Sequence, residues 1–348
     1  MSQDAMENRV LSAVRQRREV INGAVGDDLP MAEPERLYEA TRYIIQAGGK
    51  RLRPTMSLLV GESLAETEAS SLDYRSFPAL DGGEFDLLRA AMSVEAIQSF
   101  TLIHDDIMDE DDLRRGVPAV HVEYDTETAI LAGDTLYSKA FEMISDTGAR
   151  PEHEVAAMHR LASTCTQICE GQSLDVAYEN RTDVSPEEYL EMVRLKTAVL
   201  FGASAAIPAS LMGADDEVIA GLHQYGTDIG RAFQIQDDLL DLTTPSEQLG
   251  KQRGSDLVEG KETMVTLHAR QQGVEVDSLV DADTPEDVTE TAIEEAVGVL
   301  EEVGSIQFAR DRARELAEQG RSSLAVLPDN EPRQLLDDLA EYLIIRSY

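Results

Sequence analysis

The sequence predicts an all-α fold, and three observations predict it. Long segments carry apolar residues every three or four positions, among them DLLRAAMSVEAIQSF at 86–100, EEYLEMVRLKTAVLFGASA at 187–205 and EVIAGLHQYGTDIGRAFQIQDDLLDL at 217–242. That spacing lines one face of a helix. Runs of alternating apolar and polar residues are nearly absent, and Val, Ile and Thr do not gather between turn signals as strands require. The chain is also long, with 348 residues of which 42% are hydrophobic, so it can bury a sizeable core. About ten or more helices packed around a shared core are therefore expected, in a single domain spanning 1–348.

Taken in order, the segments support this reading. The N-terminus, MSQDAMENRV, has no apolar signal region. A basic, glycine-paired stretch, GGKRLRP, follows at 48–54. Residues 64–84, LAETEASSLDYRSFPALDGGE, are polar with a proline and a glycine pair, and read as a loop insertion. Cys165 and Cys169 sit four apart in a helix-like stretch without further ligands nearby, and read as buried free thiols in a reducing cytosol. The uncharged run Leu200–Ala214 is shorter than the ~20 residues a membrane span needs, so no membrane insertion and a cytoplasmic location are expected. Residues 272–288 read as a second acidic loop insertion. Helical sequence flanks both insertions, so neither is a domain linker.

Charge narrows the function classes. Thirty basic against sixty-seven acidic residues leave a formal charge of 30 − 67 = −37, and the pI is near 4.3. Nucleic acid and anionic membrane surfaces are disfavoured partners, because phosphate binding needs a basic face. Only five of the basic residues are lysines (Lys50, Lys139, Lys196, Lys251, Lys261). Acid-rich, lysine-poor composition fits a halophilic protein, since at 1 M salt the Debye length is about 3 Å and surface self-repulsion is screened. The acids are spread along the chain rather than blocked as in a disordered tail.

Two acidic motifs stand out from this background. Asp105-Asp106-Ile107-Met108-Asp109 and Asp237-Asp238-Leu239-Leu240-Asp241 share the spacing DDxxD, and each follows an apolar helical run. Positions i and i+4 share a helix face, which pairs Asp105 with Asp109 and Asp237 with Asp241. Such carboxylates repel one another unless a cation sits between them, and oxygen-only ligands suit Mg²⁺ with substrate phosphate. Asp337-Asp338-Leu339-Ala340-Glu341 has a similar pattern but reads as ordinary helix surface. The two motifs differ from it in their company. Arg114-Arg115-Gly116 follows the first, and GKQRGSDLVEGKET, with Lys251 and Lys261, follows the second. Lys50, Arg51 and Arg53 lie upstream, and Lys196-Thr197 lies between the motifs. Metal-binding acids rimmed by Lys and Arg would cradle a diphosphate. Four of the five lysines fall in these basic motifs; Lys139 does not.

Together these residues resemble the trans-prenyltransferases, the short-chain isoprenyl diphosphate synthases. GGKRLRP, LIHDDIMDEDDLRRGVPAVH, LAGDTLYSKAFE, GQSLD, KTAVLF and FQIQDDLLD occur in the family's order across nearly the whole chain. The resemblance implies the isoprenoid synthase fold, a large helical bundle around a deep central cavity, and a homodimer. It implies that an allylic diphosphate ionises, that three Mg²⁺ ions stabilise the leaving diphosphate, and that isopentenyl diphosphate attacks the cation before a proton is lost. It further implies roles by position. Lys50, Arg53 and Arg115 hold isopentenyl diphosphate, with Gln98 in the same role. Asp105, Asp109 and Asp237 are metal ligands. Arg114, Lys196, Thr197, Gln234, Lys251 and Lys261 surround the allylic diphosphate. Gln172 and Asp175 line the cavity. Asp106, Asp238 and Asp241 complete the catalytic motifs, with direct metal contact left open. Arg51 is expected to serve structure, and His104 and His121 to be packed behind the site. Glu110, Asp111 and Asp112 are expected to include ordinary acidic surface. The sequence departs from the family after Asp241, where LTTPSEQLG replaces a Gly-containing turn, and in the length of the 64–84 insertion.

Product length in this family depends on side chains just before the first motif. Phe100 and Thr101 occupy the fifth and fourth places before Asp105, with no insertion inside the motif. That resembles archaeal geranylgeranyl diphosphate synthases, which make a C20 product, and casts Phe100 as the pocket floor. Farnesyl (C15) and C25 products stay open. Two rival readings are a class I terpene cyclase and a non-catalytic regulatory subunit. The first would carry an Asn/Asp-Ser/Thr-Glu metal motif, which is absent. The second would have lost an aspartate motif or the basic residues, which are present.

Overall fold

The computed structural model describes residues 3–66, 73–178, 181, 183–245, 253–280, 282 and 288–345. Among them run fifteen α-helices: α1 (Gln3–Asp28), α2 (Glu35–Gln46), α3 (Leu52–Ala65), α4 (Leu87–Met108), α5 (Val120–Glu123), α6 (Thr126–Ile144), α7 (Pro151–Tyr178), α8 (Pro186–Val193), α9 (Val199–Met212), α10 (Asp216–Thr243), α11 (Ser255–Val258), α12 (Met264–Gln271), α13 (Glu290–Glu302), α14 (Ser305–Ser323) and α15 (Glu331–Ile345). The all-α expectation holds. The strands are two-residue ladders: β1 (Phe77–Pro78) with β2 (Glu84–Phe85), and β3 (Leu113–Arg114) with β4 (Val117–Pro118), both antiparallel.

The first ladder corrects the reading of 64–84 as a loop. Its described part ends α3 and then forms a hairpin, closed by Ala79 N–H donating to the Gly83 carbonyl at 2.8 Å. Phe77 and Phe85 are 0% and 2% exposed and anchor it edge to face. A two-residue strand is too short for alternation to betray it. Residues 67–72 of that insertion lie outside the described set, as do 281 and 283–287 of the second and 246–250 of LTTPSEQLG. The described part of 272–288 includes a 3₁₀ turn, Val276–Ser278.

The chain divides into two compact units, each discontinuous. One comprises Met1–Cys165, Gly202–His223 and Leu324–Asp338; the other comprises Thr166–Phe201, Gln224–Ser323 and Leu339–Tyr348.

In the first unit α4 is the central element and packs against α1, α3 and α6. It is buried on nearly every side from Leu87 to Ser99, with Ser93, Glu95 and Ser99 buried among its apolar residues. Two buried ion pairs brace α1 and α3. Arg17 holds Glu62 through Nε at 2.7 Å and through Nη2, and the Tyr74 hydroxyl donates to the same carboxylate at 2.7 Å. Arg51 holds Glu95 and reaches the Asn22 amide oxygen at 3.0 Å. Each is a desolvated pair whose half could not be removed cheaply.

In the second unit α8 begins with a capping box, Ser185 with Glu188, and a proline in the first turn, as a sharp helix start requires. Between α8 and α9 the helix widens into one π turn, Arg194–Ala198. α12 packs on α14 and on α8, and α13 packs on α14. The helical stretch Pro186–Met212 is long and apolar enough to cross a membrane, but 89% of its apolar window is buried inside the protein. Its apolarity is spent on core.

The cysteines split. Cys165 is buried and Cys169 is exposed, against the expectation that both are buried. Four residues turn a helix by about 400°, so the second thiol sits about 40° further round and clears the core edge.

Candidate active site

The first aspartate motif ends α4. Asp105 lies half-buried in the last turn, while Asp109 is exposed at the C-cap and donates its N–H to the Asp105 carbonyl at 2.8 Å. Asp106 is fully buried. Arg114 Nε donates to Asp106 Oδ1 at 2.6 Å, and Nη2 donates to Asp111 at 2.7 Å. Burial pushes the Asp106 carboxyl above the usual carboxylate range, against the opposing pull of Arg114. A tight return makes the contact possible. Glu110, Arg115 and Gly116 all take left-handed φ, +55°, +57° and +79°, and the β3–β4 ladder swings Arg114 back onto the motif. Asp111, with its side chain 45% exposed, is a surface carboxylate that also pairs with Arg114.

Arg115 points the other way. Its guanidinium donates to the carbonyls of Ile44, at 3.2 Å, and Gly48. The glycine pair explains the seat. Gly48 and Gly49 have φ of +107° and +133°, which only glycine adopts readily, and a Cβ on Gly49 would lie 2.9 Å from the Arg115 guanidinium. Lys50 is exposed and Arg53 half-buried at the start of α3, and Gln98 is half-buried on α4. These three candidates, with Arg115, belong to the first unit. Arg51, with φ of +52°, is turned inward and buried against Glu95, in keeping with a structural role.

Phe100 joins an aromatic cluster between α4 and α6. Its ring meets His104 at 4.8 Å and Tyr137 at 5.3 Å, and Tyr137 meets Phe141 at 5.2 Å. Gly133 makes room: a Cβ there would sit 2.4 Å from His104 Nε2. Thr101 donates its hydroxyl to the Gln98 carbonyl at 2.9 Å. His121 is half-buried with Nδ1 unbonded.

The second motif closes α10. Asp237 is half-buried, while Asp238 and Asp241 are 6% and 2% exposed. The shared face expected for Asp237 and Asp241 is thus not shared in exposure. Asp241 turns inward to cap the next segment: Ser255 donates to Oδ1 at 2.9 Å and the Asp256 N–H to Oδ2 at 3.2 Å. Asp238 accepts from the Tyr189 hydroxyl and from Gln234 Nε2 at 3.0 Å. Burial pushes its carboxyl well up, and Asp256 adds to the rise. Gln234 Oε1 in turn accepts from Thr197 at 3.1 Å. Thr197 and Gln234 are therefore bonded to each other.

Lys196 and Thr197 ride on the π turn. Glycines on two neighbouring helices press against it. A Cβ on Gly171 of α7 would lie 2.2 Å from the Lys196 backbone nitrogen, and one on Gly230 of α10 would lie 2.6 Å from the Ala198 Cα. One turn after Gly171, Asp175 accepts from the Lys196 ammonium at 2.5 Å. Gln172, between them, has both amide atoms buried and unbonded, an unmet demand for a polar partner. Lys261 is exposed and pairs with Glu259 at 2.8 Å. Lys251 lies outside the described residues.

Sequence reasoning missed Tyr189, Ser255, Asp111 and Tyr137. None has a spacing signal; each is found only through its contact. Gly171 was visible in GQSLD but not its purpose.

The residues fit a magnesium ion. Among the described residues no three His, Cys, Asp or Glu side chains group as a ready-made metal cage. Mg²⁺ does not need one, because it is held by one or two carboxylates with waters and substrate phosphate. Asp105 and Asp109 in the first unit, and separately Asp237 in the second, offer such carboxylates on half-buried or exposed positions.

Comparison with known proteins adds to this geometry. The sequence profile of the polyprenyl synthetase family matches residues 34–298. A geranylfarnesyl diphosphate synthase of Natronomonas pharaonis is 64% identical over 341 residues, 98% of this chain and 99% of that protein. A geranylgeranyl diphosphate synthase of Methanosarcina mazei is 44% identical over 97% of this chain and 98% of its own. The solved structure of a geranylgeranyl pyrophosphate synthetase from Geoglobus acetivorans superposes with a TM-score of 0.84 at 42% identity, covering 96% of this chain and 99% of that one.

Proposed function

The chain belongs to the polyprenyl synthetase family and is a prenyltransferase, and from that premise we propose that it condenses isopentenyl diphosphate with an allylic diphosphate head to tail. The observation that carries the reading is the state of the aspartates. Each motif keeps its leading carboxylate, Asp105 or Asp237, partly open, beside a second one, Asp106 or Asp238, that is buried and bonded within the protein. Open carboxylates bind; buried ones hold the helix end in place.

Bound Mg²⁺ would stabilise the charge that grows on the departing diphosphate, with Asp105, Asp109 and Asp237 as its protein ligands. Lys196 donates to Asp175 and is the cation that would exchange that carboxylate for the allylic diphosphate. Lys261, Lys251, Thr197, Gln234 and Arg114 complete the same role, although Arg114 is first of all the partner of Asp106. Lys50, Arg53, Gln98 and Arg115 hold isopentenyl diphosphate, Arg115 presenting charge from a seat of backbone carbonyls rather than from a carboxylate. Fixed cations placed before reaction are worth more than mobile water.

The product is C20 on the strength of Phe100, whose ring is propped by Tyr137 and His104. A C25 product is the second reading, favoured by the 64% identical relative named as a geranylfarnesyl synthase. Purified protein incubated in high salt with Mg²⁺, dimethylallyl diphosphate and labelled isopentenyl diphosphate tests both. A C20 or C25 chain that disappears on chelation with EDTA supports the reading and fixes its length. A cyclic hydrocarbon, or no product, overturns it. Homodimer formation is part of the proposal and is checked by light scattering.

A further inference from the structure

The polar chain behind the second aspartate motif points to a residue that spacing never suggested. Tyr189 is on α8, and its side chain is fully buried. Its hydroxyl donates to Asp238. Asp238 also accepts from Gln234, one helical turn earlier on α10, at 3.0 Å. Gln234 then accepts from Thr197 at 3.1 Å, and Thr197 belongs to the π turn that carries Lys196. The chain thus runs Tyr189, Asp238, Gln234, Thr197, and every link has its donor and acceptor assigned.

A π turn is an unusual helical geometry that tends to occur at functional sites. Here it leaves Lys196 aimed at Asp175. Gly171 and Gly230 limit where its backbone can lie, but packing of glycines sets no side-chain direction. The polar chain ends on Thr197, the residue next to Lys196 in that turn. Asp238 is its junction, and both its oxygens are engaged within the protein.

We propose that Tyr189 is a positioning residue for the prenyl transfer: through Asp238 and Gln234 its hydroxyl fixes Thr197 and the π turn that presents Lys196 to the allylic diphosphate. The inference rests on the function proposed above. Asp238 accordingly anchors the turn and is not a metal ligand.

Tyr189→Phe keeps the ring and removes only the hydroxyl. The expected result is a rise of about tenfold in KM for the allylic diphosphate, the effect of losing one hydrogen bond to a charged group. KM for isopentenyl diphosphate, whose proposed residues Lys50, Arg53 and Arg115 lie in the other unit, stays within about twofold. Calorimetric binding of inorganic diphosphate with Mg²⁺ weakens in parallel. Asp238→Asn keeps the shape and is the second variant should Tyr189→Phe melt early. It should reproduce the allylic defect with the half-saturating Mg²⁺ concentration unchanged, and the double variant should be no worse than either single. Equal shifts in both KM values, no shift in either, an increased Mg²⁺ requirement for Asp238→Asn, or additive defects would each overturn the proposal. A wild-type protein without condensation activity overturns the functional reading instead, so the two failures are told apart.

Discussion

The two aspartate motifs have one spacing and two constructions. In the first, the buried middle aspartate is neutralised by a cation, Arg114, brought back by a left-handed turn only eight residues on. In the second, the buried middle aspartate is held by neutral donors, Tyr189 and Gln234, and Tyr189 comes from 49 residues away. The third aspartates part company further. Asp109 is exposed at a helix end, whereas Asp241 is buried and caps the segment at Ser255–Asp256. A motif written as DDxxD therefore records a spacing, and the surroundings decide which carboxylate binds, which anchors and which caps.

The comparison breaks most visibly if the leading aspartates are unequal. Asp105→Asn and Asp237→Asn should each lower kcat by about 100- to 1,000-fold, the loss usual for removing a group that stabilises developing charge. Labelled isopentenyl incorporation measures it; a near-normal Asp237→Asn would leave the first motif acting alone.

Next in size is the clamp on the π turn, a feature of the second motif's surroundings. Gly171→Ala places a Cβ against backbone at 2.2 Å and should cost about 1–3 kcal/mol as overpacking. Thermal melting reads the loss.

The third aspartates sharpen the contrast through stability. Asp241→Ala strands a buried hydroxyl and a backbone N–H, and should cost about 1–3 kcal/mol. Asp109→Ala, at the surface, should stay within about 0.5 kcal/mol while lowering activity. Denaturant midpoints compare the pair, and equal losses would erase the distinction. The smallest effect marks the background. Lys139 pairs with Glu142, itself largely exposed, so Lys139→Gln should leave kcat unaltered and stability within about 0.5 kcal/mol.

Much of this was legible in sequence, for stated reasons. The helices showed because apolar positions repeat at helical period over long segments. The basic stretches GGKRLRP and Arg114-Arg115-Gly116 showed by their charge in an acidic chain. The roles of Asp106, Asp238 and Asp241 did not, because spacing along one helix is blind to what arrives from elsewhere: Arg114 by a hairpin, Tyr189 from α8, Ser255 from beyond a turn. The β1–β2 hairpin was hidden because two residues make no pattern. Cys169 was misjudged because a helical repeat of 3.6 drifts over four residues.

The π turn sets how this protein can vary in length. In a surface loop, an added or lost residue is absorbed at small entropic cost. Within Arg194–Ala198 the chain already holds one residue more than an α-helical turn. Deleting one would let the turn close into ordinary α-helix and shift Lys196 or Thr197 by about 100° around the helix axis. Insertions and deletions should therefore accumulate in the first place and be purged from the second, so that a length change there marks a loss of function more surely than most substitutions would.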